Sequence, residues 1–158
     1  MDWTKFPKVE LHLHLDCSLS YKVVSQIDPS ITHKQYLANF ISPAKSSLVE
    51  YLKRAPSNFP LMQTEEHLRL VTMDLCEKLQ KDNLLYAEIR FAPLLHTSKG
   101  LTPQQVVECV EAATAQAVQD TGVEARLILC TLRYFSTAQS LVTVRLVEDF
   151  RGTYVAGF

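Results

Sequence analysis

Glycine is scarce in this chain, with 4 residues in 158, and proline adds only 7. Together they make 11 of 158, about 7%, too little for a collagen-like or a Pro/Gly-rich disordered chain. An excess of charge of one sign is missing as well. Sixteen Lys and Arg against 17 Asp and Glu leave a net charge of −1, so no basic surplus points to nucleic acid or to an anionic membrane. No run of 18 apolar residues occurs, and the start Met1-Asp2-Trp3-Thr4-Lys5 lacks the basic-then-apolar layout of a secretory signal. The cysteines Cys17, Cys76, Cys109 and Cys130 are far apart, with no Cys-x-x-Cys spacing for structural zinc. They read as reduced, partly buried thiols. Also absent are the glycine-rich dinucleotide and phosphate loops and the Gly-x-Ser-x-Gly elbow. These absences leave a soluble, cytoplasmic globular chain. With 47% hydrophobic residues, it has enough material for one domain with a sizeable core.

The chain has no internal repeat. Residues 9–16 read as a strand, and 20–27, 32–40 and 46–55 as short helices separated by Asp28-Pro29-Ser30 and Ser42-Pro43-Ala44. Residues 64–82 form a long amphipathic helix with Leu68, Val71, Leu75 and Leu79 on one stripe and Thr64 as its cap. From residue 84 the pattern alternates. Residues 84–92 form a strand, and Thr102-Pro103-Gln104-Gln105 opens a helix with a capping box. That helix carries Val106, Val110, Ala113 and Ala117 on one stripe and ends at Gly122. Residues 123–132 are a strand, Ser136-Thr137-Ala138-Gln139 opens a helix to about Asp149, and 153–158 are strand-like. Strands alternating with such helices imply an α/β fold with a parallel sheet. The final run Tyr154-Val155-Ala156-Gly157-Phe158 has no turn or polar tail after it, which would leave an unpaired sheet edge. The sequence is therefore expected to be the front portion of a longer polypeptide.

Chemistry concentrates in Lys8-Val9-Glu10-Leu11-His12-Leu13-His14-Leu15-Asp16. On a strand, Glu10, His12, His14 and Asp16 share one face and Val9, Leu11, Leu13 and Leu15 the other. A half-exposed antiparallel strand could carry this pattern with its polar face in water. In an α/β context helices should cover the apolar face, and the ionisable face then points inward. Four inward titratable groups are costly unless they bind something. Two imidazoles at i and i+2 can converge on one ion at about 2.0–2.1 Å from each nitrogen.

This run resembles the first barrel strand of the adenosine and AMP deaminases of the amidohydrolase superfamily. The resemblance continues at Tyr86-Ala87-Glu88-Ile89-Arg90-Phe91-Ala92-Pro93, at Gly100-Leu101-Thr102-Pro103 with Val106-Val107, and at Ala125-Arg126-Leu127-Ile128-Leu129-Cys130 through Arg133. It implies that residues 1–158 are the N-terminal half of a single (β/α)8 barrel domain, with extra helices after the first strand and a break within the fourth. The active site would lie at the C-terminal strand ends. By the family pattern His12 and His14 are ligands of one catalytic zinc, and Asp16, beside His14, contacts the substrate ribose. Leu95 and Leu132 match positions lining the purine pocket, and Tyr51 and Leu52 a helical lid over it. Cys17 departs from the family's usual glycine and crowds the sugar end.

The implied activity is zinc-dependent hydrolytic deamination of adenosine or a related 6-aminopurine nucleoside, giving inosine and ammonia, in purine metabolism. Metal-activated water adds at C6 while a glutamate protonates the ring. No catalytic general acid lies in this chain; it and the remaining ligands are expected after residue 158. Alternatives are an amidohydrolase acting on an amide, lactam, phosphoester or modified purine, or an inactive deaminase-like binding protein. No His-x-Glu with Pro-Cys-x-x-Cys occurs, which excludes the cytidine-deaminase type of zinc site. The expected partners are a small purine nucleoside and the remaining half of the barrel, with neither nucleic acid nor membrane. Residues 1–158 alone are expected to be poorly soluble, to bind zinc weakly and to show no turnover. Glu88 and Arg90 read as an interior ion pair, and His33, His67 and His96 as surface or packing histidines.

Overall fold

Where apolar residues recur every second position the chain forms strands, and where they recur every third or fourth it forms helices over them. The computed structural model describes residues 5–43 and 45–158. The strands β1 (Lys8–His14), β2 (Leu84–Phe91), β3 (Glu124–Leu129) and β4 (Val155–Gly157) make one parallel sheet in the order β1-β2-β3-β4. Between β1 and β2 lie α1 (Tyr21–Ile27), α2 (His33–Asn39), α3 (Leu48–Leu52) and α4 (Glu65–Lys81); α5 (Pro103–Thr121) and α6 (Thr137–Asp149) link the later strands. Parallel strands in sequence order with intervening helices form an arc of a (β/α)8 barrel, as expected.

The core sits between this sheet and the long helices. Leu68, Val71, Leu75 and Leu79 of α4 and Val106, Val110, Ala113 and Ala117 of α5 are buried. They share one cluster with Ala87, Ile89 and Phe91 of β2 and Ala125, Leu127 and Leu129 of β3, Ala113 alone standing outside it. Burial of each large apolar side chain contributes about 1.5–3 kcal/mol. Local signals fix where helices start. Thr64 accepts from the His67 N–H, and complete capping boxes form at Thr32/Gln35, Thr102/Gln105 and Ser136/Gln139. Gly122 ends α5 in the left-handed region, φ 72°, where a Cβ would be strained.

Several expectations need correction. The first strand stops at His14, and Leu15–Cys17 form a 3-10 helix, so Asp16 leaves the strand alternation. The third helix is shorter than 46–55, and a separate 3-10 turn, Ala55–Ser57, follows it. The last two strands are also shorter: the chain becomes irregular from residue 130, and a turn occupies 152–154 before β4 begins. The apolar face of β1 is not covered throughout: Val9 and Leu11 are 59% and 55% exposed, because no helix among the described residues packs over that outer edge. β1 is also irregular. Glu10 to Leu13 pairs with Ala87 to Ile89, three steps against two, so β1 carries one extra residue beside the histidines. Such bulges re-aim side chains.

Candidate functional site

The β1 histidines lie at the C-terminal end of the strand, with ring centroids 5.3 Å apart. His14 pairs in register with Arg90, whose guanidinium donates to the Leu11 carbonyl at 3.2 Å and ties the two strands together. Glu10 reaches along its own strand to accept from the His12 N–H at 2.9 Å. The 3-10 turn after His14 folds Asp16 inward, to 6% exposure, with its Oδ1 3.7 Å from His14 Nδ1. That separation is electrostatic proximity rather than a hydrogen bond.

His14, Asp16 and Cys17 form the polar end of a cavity of about 350 Å³. Its remaining wall is apolar: Leu52 and Pro56 from α3 and the turn after it, Phe59 from a second 3-10 turn (Phe59–Leu61), Leu95 from the turn after β2, and Leu132 and Tyr134 after β3. Every contribution therefore comes from the C-terminal side of a strand or from the β1–β2 connection above it. Of the residues singled out in sequence, His14, Asp16, Leu52, Leu95 and Leu132 meet on this one cavity. His12 faces His14 but does not line it. Tyr51 lies in α3, its side chain outside the described residues. Phe59, Pro56 and Tyr134 were not anticipated. Pro56 and Phe59 follow a turn-rich stretch with no periodicity, and Tyr134 sits in a loop, so none of the three positions carries a pattern signal.

The neighbouring polar groups are mostly structural. Glu88 and Arg90 do not form the expected ion pair. Glu88 instead accepts from the Tyr86 hydroxyl at 3.3 Å, while burial, reinforced by the Glu88 charge, pushes the Tyr86 phenol up. Arg126 pairs with Glu124 and lies 5.4 Å from the Tyr154 ring. His33 is exposed, edge-on to Tyr21. His96 is no surface residue: it is fully buried, 6.3 Å from the Phe59 ring and 6.4 Å from that of Phe91. That burial holds its imidazole below the ordinary range, against the opposing pull of the Asp16 carboxylate.

Among the described residues no group of three or more His, Cys, Asp or Glu could hold a metal by itself. His12 and His14 nonetheless fit zinc as two members of a larger set, being neighbouring imidazole donors on one strand end. No disulfide joins Cys17, Cys76, Cys109 and Cys130, and among the described residues none of them stands in such a cluster.

The whole stretch has counterparts. A protein-family model described as adenosine deaminase matches residues 7–158. The adenosine deaminase of Clostridium botulinum (strain Hall) is 35% identical over 161 residues, covering 96% of this chain and 48% of that relative. That of Lactococcus lactis subsp. lactis is 32% identical, covering 98% and 46%. The chain thus spans about half the length of the curated relatives it matches. An amidohydrolase of Burkholderia ambifaria, crystallised with bound Zn, shares the fold at a TM-score of 0.86 and 21% identity, over 98% of this chain and 44% of that one. With a family match from Pro7 to Phe158, and relatives above 30% identity along nearly its full length, the chain belongs to the adenosine deaminase family of hydrolases.

Proposed function

We propose that this chain is the metal-binding and substrate-lining half of a zinc hydrolase that deaminates adenosine or a close 6-aminopurine nucleoside to inosine and ammonia. One observation carries the reading: His14 and Asp16 stand at the polar end of an otherwise apolar cavity at the strand ends, with His12 at 5.3 Å from His14. Barrel enzymes place their chemistry there.

In this reading His12 and His14 hold the zinc. A zinc ion so placed supplies an activated water at neutral pH. Asp16 accepts hydrogen bonds from the ribose hydroxyls, and its burial keeps that interaction out of bulk water. Leu52, Phe59, Leu95 and Leu132 bury the faces of the purine and exclude solvent. Cys17 narrows the sugar end of the cavity. The general acid and the remaining ligands belong to a second half of the barrel, which the relatives' greater length supports. Four cysteines with no disulfide among them support a reducing, cytoplasmic setting in purine metabolism. Among the described residues no helix is long and apolar enough to cross a membrane.

The test is a purine panel on the complete, zinc-loaded protein, following loss of the adenine absorbance band. Adenosine should be converted to inosine. Inactivity on every 6-aminopurine nucleoside, with hydrolysis of an amide or lactam instead, would overturn the proposal.

A further inference from the structure

Two residues of the cavity's apolar wall, Phe59 and Leu95, stand on irregular turns that no sheet hydrogen bond holds in place. Phe59 lies in the 3-10 turn Phe59–Leu61, and Leu95 in the 3-10 turn Pro93–His96. One side chain joins them. Gln63, 3% exposed, donates from Nε2 to the Phe59 carbonyl at 2.6 Å and to the Leu95 carbonyl at 2.8 Å. Its Oε1 accepts from the Ser98 N–H at 2.9 Å and the Ser98 hydroxyl at 2.7 Å. A carboxamide has two N–H donors and two acceptor lone pairs, and Gln63 uses all four. The next residue, Thr64, caps the 17-residue helix α4, so the amide is mounted on a rigid base.

We propose that Gln63 is a positioning residue that sets the shape of the substrate cavity by fixing Phe59 and Leu95 to each other and to α4. The inference rests on the functional reading above for its ligand but not for its geometry. An amide that merely filled a buried hole would need one or two partners in any direction. This one bonds only to backbone and side-chain groups of the two turns and of Ser98, and both turns deliver a residue to the cavity. The edge-on contact of the Phe59 ring with His96, the residue after Leu95, is a second link across the same wall. Losing the clamp takes the Gln63 donor from the part-buried Leu95 carbonyl and leaves the Phe59 carbonyl with the Met62 N–H alone, and the turns, no longer joined, shift to regain partners. The cavity then loses its fit to a flat ring while His12, His14 and Asp16, on β1 and the turn after it, keep their places.

The experiment compares wild type with Gln63→Met, which keeps the volume and removes the four bonds, and with Ser98→Ala, which removes one. Steady-state kinetics on adenosine, zinc content, thermal midpoint and hydrogen exchange are measured on the complete protein. Gln63→Met should raise KM at least tenfold with kcat per bound zinc within threefold. Exchange should quicken over residues 59–62 and 93–98 but not in α5. Ser98→Ala should raise KM about threefold. A purely structural role would lower the thermal midpoint and the active fraction at unchanged KM, and that result overturns the proposal. If Gln63→Met does not fold, unchanged KM in Ser98→Ala does the same. A wild type inactive on adenosine refutes the functional reading instead; the clamp then stands or falls on the exchange of the two turns in the variants.

Discussion

Replacing Asp16 separates a substrate contact from a metal contact. Its side chain is 8% exposed, so a hydrogen bond to its carboxylate is little screened, and such charge-assisted bonds contribute about 1.5–3 kcal/mol. Asp16→Asn keeps the volume and one acceptor oxygen, retaining a neutral bond of about 0.5–1.5 kcal/mol. The expected difference is about 1–1.5 kcal/mol, or roughly a 5- to 12-fold loss in kcat/KM at 1.36 kcal/mol per tenfold. Asp16→Ala loses the whole interaction, roughly 10- to 150-fold by the same conversion. The loss should appear with adenosine and not with adenine, which has no ribose, and zinc content should be unchanged. Kinetics on the two substrates, with metal analysis of each preparation, decide it. Equal losses on nucleoside and free base would refute the ribose contact. Loss of zinc in Asp16→Asn would instead make the residue a support of His14, whose Nδ1 lies 3.7 Å from its Oδ1.

Three further outcomes follow from other parts of the structure. Replacing both His12 and His14 by alanine should abolish zinc retention in the complete protein, because a catalytic site of three or four ligands does not survive the loss of two; full occupancy by metal analysis would refute the assignment. Buried His96 has its imidazole held below the ordinary 6.5 by burial, so the unfolded chain binds more protons in mild acid. Its contribution is therefore complete above about pH 6.5 and lost as pH falls through the folded value. Denaturation midpoints of His96→Leu should fall less than those of wild type between pH 7 and pH 5, and parallel curves would refute it. Cys76 is fully buried, with its thiol pushed up to about 11 by burial. Iodoacetamide at pH 8 should leave it intact in the native protein while partly exposed Cys109 reacts; equal labelling by mass spectrometry would show the core open.

The elements legible in sequence were those whose signal is local. Thr102 with Gln105 and Ser136 with Gln139 mark helix starts whatever surrounds them, and the stripes on α4 and α5 fix the buried faces. The His-x-His pair was legible for the same reason. Alternation alone missed the extra residue between Glu10 and Leu13, because a bulge is set by the partner strand. It also missed the turn that buries Asp16. Gln63 and His96 gave no signal: each sits in an aperiodic stretch, and its burial depends on segments more than 30 residues away. Leu52, Leu95 and Leu132 were read by resemblance, since an isolated leucine looks the same in a core and in a pocket wall.

The order of strand pairing has a consequence for how the site comes into being. Tyr86 and Glu124 meet across 38 residues, whereas Lys8 must find Leu84 across 76. Doubling the loop adds about 0.6 kcal/mol of closure entropy, and non-local parallel pairing is slow. The β2–α5–β3 unit can therefore assemble as a template before β1 docks. His12 and His14 ride on the strand of longer reach, so, if they hold the metal as proposed, the hydrophobic scaffold is expected to form before the metal site. Substitutions on β2 or β3 that slow this docking should reduce the yield of metallated protein without altering the finished site.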